Sequence, residues 1–443
     1  MGNTLLAELK YKQALKVDGN FSKASCSLAI LYYRKGKYGE ATKLLEEALK
    51  RNLDYEVYYH LGLCHLKLGD EFSSEIEFWE ARRSTRFFLP SSYWISIIKM
   101  RNKEYGKAEE VLREVAEKNT RDFRCLFLLA AALRKQGKIE EALRTVRRAL
   151  EVFPLYYPLL SELMLCSEKE GSPEFERVVI AREQKLLEVA VEYIRANLYD
   201  DAERILNSGI LKGLDGPMVH YYLGFVYGKL QQIDEMKKHY RIGDSKNPDY
   251  VFPYRIEEEE ILRSVITIAT SPKARYYLGN LLFHFGRFDE AIKEWKIAEQ
   301  NVFKHPVLHR NLGLAYYKLH RDYERAVKEY EDAIAMDPLN YRLYLEYYEV
   351  CSTAGLFEKA IEALEKISGR VKKESVLAAL SVAYVNDGKY DEALKILEEN
   401  TFTPAEGYYG YWELFVEAYV RSARANLPLR FKPGSPIVIG IEA

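Results

Sequence analysis

Along most of this chain apolar side chains recur three and four residues apart, the spacing that stacks them on one face of an α-helix while charged residues occupy the other. EATKLLEEALK (40–50), AEEVLREVAEK (108–118), EALRTVRRALE (141–151) and DEALKILEE (391–399) show it most clearly. Strand-like alternation is confined to a short run in the tail LPLRFKPGSPIVIGIEA (427–443). The pattern predicts an all-α fold.

The helices come in repeating pairs. One phrase returns as GKYGEA (36–41), GKIEEAL (137–143), GRFDEAIKEW (286–295), RDYERAVKEY (321–330) and GKYDEALKIL (388–397). Measured on its alanine (Ala41, Ala108, Ala142, Ala202, Ala291, Ala326, Ala360, Ala393), the gaps are 67, 34, 60, 89, 35, 34 and 33 residues. Degenerate copies near Ser74 (EFSSEIEFWEA) and Met236 (QQIDEMKKHY) fall inside two of the long gaps, so the period is 34. Each copy sets a first helix bearing a Leu-Gly pair (Leu61-Gly62, Leu223-Gly224, Leu278-Gly279, Leu312-Gly313) against a second helix that opens on an aromatic residue or Ile. The turn between them holds Gly36, Gly69, Gly137, Gly286, Gly355 or Gly388, where glycine accepts the left-handed backbone that closes a helix. Small residues at the Gly and Ala positions let the two helices approach closely. No single pair buries both of its faces, so the pairs must stack.

This pattern resembles the tetratricopeptide repeat family. Leu278, Gly279, Ala291, Trp295 and Ala298 fit it in one copy, and Leu312, Gly313, Tyr316, Ala326, Tyr330, Ala333 and Pro338 fit it in the next. The resemblance covers residues 1 to about 400. It implies a right-handed α-α superhelix, a solenoid of about a dozen helix pairs in two arrays. Residues 1–20 read as a second helix whose first helix is missing, because Ala7, Tyr11 and Ala14 match Ala326, Tyr330 and Ala333. Residues 21–253 read as an N-terminal array with a distorted pair at 155–185, and 254–400 as a C-terminal array. A closing helix (401–425) and a tail (426–443) follow. The joint is expected in 244–271, where two prolines precede a helix opening on Glu257–Glu260, acids that suit the positive end of a helix dipole. Residues 252–319 are also similar to the repeat region of a poorly characterised prokaryotic family in which such repeats follow a β-rich N-terminal domain. The mid-repeat start leaves two expectations, that the chain is cut from something longer or that the apolar face of Leu5, Leu6 and Leu9 docks on a partner.

Composition narrows the function. Lys plus Arg number 65 against 66 Asp plus Glu, a net charge of −1, which removes the bulk electrostatic case for nucleic acid as a partner. No apolar run reaches the roughly 18 to 20 residues of a membrane span. Five cysteines, at least 38 residues apart and without a CxxC, point to a reducing, cytoplasmic setting. No phosphate-binding Gly loop, GxSxG, HExxH or EF-hand loop is present, so an enzyme is not expected. His305 and His309 have the i, i+4 spacing of paired metal ligands. His305 stands in a loop before Pro306 and no third ligand accompanies the two, so neither a metal nor another cofactor is expected.

Tyrosine, with 35 residues, is the compositional outlier. The resemblance implies that first helices line a concave groove through fixed slots, which here hold Tyr33, Tyr59, Phe127, Tyr221, Tyr276 and Tyr317. Double tyrosines recur at 32–33, 58–59, 221–222, 276–277 and 316–317, so one ring of several pairs is expected in the core and its neighbour in the groove. Tyrosine gives a large contact area with few rotors and adds a hydroxyl, which suits recognition, although it also fills gaps between helices in such repeats. A carboxylate clamp of the co-chaperone kind would draw on Asn280, Asn311 and Arg342 on three successive first helices. Tyr276 replaces its first lysine, and Glu346 stands where its last cation belongs, with Arg310 nearby to offset that charge. The sequence thus reads as a non-catalytic scaffold that binds a peptide, a partner protein or a neighbouring domain in a Tyr-lined groove. Two rival readings use other features. The same rings stack on carbohydrate, and the chain ends offer Leu5, Leu6 and Leu9 at one side and Tyr408, Tyr409, Tyr411, Trp412 and Phe415 at the other for homo-oligomeric assembly.

Overall fold

A computed structural model describes residues 2–19, 21–51, 53–118, 122–166, 175, 179, 182–400, 402 and 410–422. Among them are 24 α-helices and no strand, so the fold is the expected all-α helical-repeat solenoid, and no β-rich domain forms part of the described residues. The chain divides into two compact units, Met1–Asn301 and Val302–Ala443.

The first unit opens with α1 (Gly2–Val17). Four pairs follow: α2 (Ser22–Arg34) with α3 (Tyr38–Arg51), α4 (Tyr55–Leu68) with α5 (Glu71–Ala81), α6 (Phe88–Arg101) with α7 (Tyr105–Lys118), and α8 (Phe123–Lys135) with α9 (Ile139–Val152). Then come α10 (Tyr157–Cys166), α11 (Glu183–Arg195) with α12 (Tyr199–Leu211), and α13 (Pro217–Lys229) with α14 (Ile233–Ser245). The unit ends in α15 (Glu257–Ala269) and the pair α16 (Pro272–His284) and α17 (Phe288–Gln300). The second unit holds α18 (Pro306–Ala315) with α19 (Tyr323–Met336), α20 (Tyr341–Thr353) with α21 (Phe357–Ser368), α22 (Glu374–Asn386) with α23 (Tyr390–Glu399), and α24 (Gly410–Arg421). Much of the distorted pair expected at 155–185 and all of the tail at 426–443 lie outside the described residues.

The repeated small residues do what their size allows. All eight alanines of the recurring phrase are 0% exposed. Ser74 takes the same place between α4 and α5, also wholly buried, and satisfies its hydroxyl by donating to the Gly62 carbonyl at 2.8 Å. A methyl group at Gly62 would sit 2.9 Å from the Phe78 ring, and one at Gly313 would sit 2.9 Å from the Tyr330 ring. The first helix must therefore carry glycine where the large ring of its partner lies across it.

The turn within each pair is equally regular. Five residues before the phrase alanine, or its substitute, the backbone is always left-handed. Glycine holds that place at 36, 69, 137, 286, 355 and 388 with φ from 70° to 84°. Lys103, Asn197, Gln231 and Arg321 hold it elsewhere, with φ of 60°, 57°, 63° and 52°. The gap of 35 between Ala291 and Ala326 leaves one residue too many for the pair α18–α19. The helix absorbs it as a π-helical turn, Tyr316–His320, which continues α18.

One helix breaks the alternation. α15 has no helix partner of its own and packs against two first helices, α13 and α16, through Ile261, Leu262 and Val265, all wholly buried. The segment 244–271 that contains it lies inside the first unit.

Candidate functional site

The first helices carry the predicted groove residues, and the two units present them differently. In the first unit most of the rings are inside. Phe127, Tyr221 and Tyr276 are 0%, 0% and 4% exposed, which corrects the expectation that they face an open groove. Phe127 meets Tyr193 edge to face at 5.3 Å, and Tyr276 lies 5.4 Å from Tyr277. Tyr221 donates to Asp244 at 2.8 Å. Their neighbours Tyr222 and Tyr277 are also buried, with hydroxyls donated to Glu258 (2.9 Å) and to the Pro248 carbonyl (3.2 Å). The physical reason is packing between helices: the Tyr221 ring lies against Gly243 of its partner helix α14 and Phe127 against Tyr193 of α11, while the loop after α14 (Pro248) and α15 (Glu258) cover Tyr277 and Tyr222. Tyr33 and Tyr59 are half-buried. Tyr33 sets its edge to Tyr38 at 5.2 Å, and Tyr59 stacks on Phe87 at 5.2 Å. Burial pushes both hydroxyls up from the ordinary tyrosine range.

Charge closes the same face. Arg195 of α11 donates to Glu257 through Nε (2.9 Å) and Nη2 (2.7 Å), and through Nη1 to Glu192 (2.8 Å) and the Tyr93 hydroxyl (3.0 Å). Its own carbonyl accepts from Arg101 of α6 at 2.8 Å. Burial alone would raise the Glu257 carboxyl, but the charges of Arg195 and Lys67 outweigh it and hold the group below its ordinary range. Burial lowers Lys67 of α4 in turn, opposed by Glu257 and Glu260. Arg287 donates to Glu259 at 2.7 Å. The acidic first turn of α15 is thus held by cations from α4, α11 and the turn after α16.

In the second unit, successive first helices keep an accessible polar face. Arg310 of α18 grips Glu346 of α20 with bonds of 2.9 and 2.7 Å, and Tyr330 donates to the same carboxylate at 2.9 Å. Tyr317, on the π turn, donates to Glu349 at 3.1 Å and shares a 3.0 Å hydrogen bond with Thr353. Lys318 pairs with Glu349 at 2.5 Å. Arg310 and Lys318 remain 36% and 43% exposed. Here the double tyrosine divides as expected, with Tyr316 buried at 4% exposure and Tyr317 partly exposed.

The three clamp residues have separate duties. Asn280 accepts from the Trp295 indole at 3.1 Å within the first unit. Asn311 receives a long 3.5 Å contact from Arg310, whose charge is already engaged by Glu346. Arg342 stands exposed on α20. His305 caps α18 by accepting from the Val307 N–H at 3.3 Å, whereas His309 lies 2.8 Å from Glu329. At the chain ends, Leu6 and Leu9 are 49% and 53% exposed. Phe415 instead packs into the core of the second unit beside Tyr419. Tyr408 and Tyr409, and the side chains of Leu5, Tyr411 and Trp412, lie outside what the structure describes.

Sequence reasoning missed three clusters in the first unit. His220 and His239 are stacked and buried with Nδ1 atoms 2.9 Å apart, and His220 Nε2 lies 2.9 Å from Asp215. Burial and the neighbouring His220 push His239 down to about 4. Arg134 bridges Glu162 (2.8 Å) and Asp201 (3.0 Å), all three nearly excluded from solvent. A cleft of about 630 Å³ opens between Glu183, Leu187, Asp215, Lys246 and Phe252. Nothing in the periodic pattern distinguishes these residues from ordinary helix-face positions. No helix among the described residues is long and apolar enough to cross a membrane.

Comparison with known proteins bears on the repeat itself. Models of the tetratricopeptide repeat match residues 26–71 and 260–295, and again 99–164 and 319–381. A PPR repeat model matches residues 379–399. Among solved structures the chain is similar to Naa15/Naa10 bound to HypK-THB, at 15% identity and a TM-score of 0.26, over 93% of this chain and 69% of that one. It is similar to the Cut9-Hcn1 hetero-tetramer of the APC/C at 13% identity and a TM-score of 0.31, over 94% of both chains. Yeast Tom70 is similar at 14% identity and a TM-score of 0.31, over 90% of this chain and 95% of that one.

Proposed function

We propose that this tetratricopeptide-repeat chain is a protein-binding scaffold that takes a peptide or a partner's segment along the face shared by α18 and α20. The observation that carries the reading is the accessible row of Arg310, Asn311, Tyr317 and Lys318 on one first helix and Arg342, Glu346 and Glu349 on the next. Tyr317 is held by two hydrogen bonds while its ring stays partly exposed, so a ligand meets an aromatic surface whose rotors are already restricted. The ion pairs around it are solvent-exposed and contribute little to stability, so a ligand can exchange into them at small cost. In the first unit α15 packs on α13 and α16, and the paired tyrosines of those two helices are buried. An intact chain immobilised as bait tests the reading in lysate of its source organism. A protein retained by the unmodified chain and by Lys43→Ala, but lost with Tyr317→Ala/Arg342→Ala, is the expected result. Equal retention by all three baits, or none by any, overturns it.

A further inference from the structure

Second helix α5 departs at three outward positions from every other second helix that is paired with a first helix. Counted from the phrase alanine, these lie two before, two after and five after it. They hold Gly39, Lys43 and Glu46 in α3 and Gly106, Glu110 and Arg113 in α7, and every other second helix that is paired with a first helix is polar or glycine there, whereas the unpaired α1 carries Leu5, Leu9 and Lys12. In α5, counted from Ser74, they hold Phe72, Ile76 and Trp79, which are 78%, 49% and 39% exposed. A contiguous apolar strip rimmed by polar surface marks an interaction site. The charges beside it are already matched within the chain: Glu71 with Arg101 (2.8 Å), Glu75 with Lys99 (2.6 Å) and Arg82 with Glu114 (2.5 Å). At the two ends of α5 stand opposite charges. Asp70 caps the helix through the Ser73 N–H at 3.0 Å, and Arg83 follows its last turn, exposed beside Glu80.

We propose that this strip is a self-association surface covered by a second copy of the chain. It is nearly symmetric about Ile76, with Phe72 four residues before and Trp79 three after. An antiparallel two-fold contact through Ile76 sets Phe72 of each copy against Trp79 of the other, and the same operation sets each Asp70 beside an Arg83. A parallel arrangement would instead place like charges together. One helix face is small beside the roughly 800 Å² per partner of a standard stable interface, so the association is reversible and rises with concentration. The surface is separate from the face proposed for a partner protein and does not depend on it.

Sedimentation of the intact chain over a concentration series tests this. The weight-average mass is expected to climb above 51.6 kDa for the unmodified protein. In Phe72→Glu/Trp79→Glu association weakens at least tenfold, with the circular dichroism of the folded chain unchanged because both side chains are exposed. A second measurement uses Ile76→Cys. All five native cysteines are buried, so mild oxidation should yield a disulfide-linked dimer of this variant and not of Lys43→Cys, at the matching position of α3. A mass fixed at 51.6 kDa at every concentration overturns the proposal. So does equal association of the double variant, or equal cross-linking at both positions.

Discussion

Arg195 and Glu257 stand 62 residues apart in the chain and are joined by two hydrogen bonds, 2.9 and 2.7 Å, from one guanidinium to one carboxylate oxygen. The contact seats the first turn of α15 on the inner face of the first unit, where the buried tyrosines of α13 and α16 lie beneath the same segment.

Removing the carboxylate should loosen that helix. In Glu257→Gln, Arg195 keeps Glu192 as a counter-charge at 2.8 Å but loses the other in a partly buried site, and stability falls by about 2 kcal/mol. Denaturant unfolding gives the loss, and hydrogen exchange should quicken in residues 257–269. Unchanged exchange there would mean that Ile261, Leu262 and Val265 hold α15 without help from its charges.

Two groups, one buried and one half-buried, give pH dependences of opposite sign. His239 titrates at about 4 in the fold against an ordinary 6.5, so its contribution is present above 6.5 and is lost as pH falls toward 4, by up to about 3 kcal/mol. Glu77, pushed up to about 7 by burial against an ordinary 4.5, contributes below 4.5 and loses its contribution as pH rises through 7. Unfolding free energies from pH 4 to 8 should therefore rise less steeply with pH in His239→Gln than in the unmodified chain. In Glu77→Gln they should rise more steeply. A parallel shift of all three curves would contradict the assignment.

The left-handed position of the turns predicts gains as well as losses. Gln231→Gly and Lys103→Gly relieve a backbone that L side chains adopt at a cost, and each should stabilise the fold by about 1 kcal/mol. Gly137→Ala, with φ of 78°, should destabilise it by a similar amount. Thermal melts of the three variants decide the matter by sign.

Helix glycines divide in the same way. Gly313→Ala drives a methyl group into the Tyr330 ring and the Ala326 carbonyl, and should cost about 2 kcal/mol. At Gly39 nothing lies within 4 Å, so Gly39→Ala should stabilise α3 by about 0.5 kcal/mol. Equal effects at the two sites would refute the close-approach argument.

The fold was legible because the repeat constrains local sizes. Alanine, Leu-Gly and turn glycine each answer to a contact within one helix pair, so their spacing alone reveals the pair. The surplus residue between Ala291 and Ala326 was visible as a gap of 35, although spacing does not say whether the loop or the helix absorbs it, and the π turn at Tyr316–His320 is the helix's answer. The candidate site was harder to read. A slot assigns Tyr221 to a face of a helix, and does not tell that its ring lies on Gly243 of the paired α14 or that a non-repeating segment folds onto its neighbour Tyr222. The division of Tyr316 from Tyr317 was readable because no such segment among the described residues covers it. EFSSEIEFWEA looked like a worn copy of the repeat, yet its departures fall at outward positions, where no contact within the pair demands them.

The most direct test of the account is a hydrogen-exchange footprint of the intact chain with and without the protein it retains from lysate. Protection centred on residues 306–320 and 341–353, with α13, α15 and α16 unchanged, is the predicted result. Protection confined to the first unit, or release of α15 when the partner binds, would contradict the claim that the face shared by α18 and α20 is where this chain does its work.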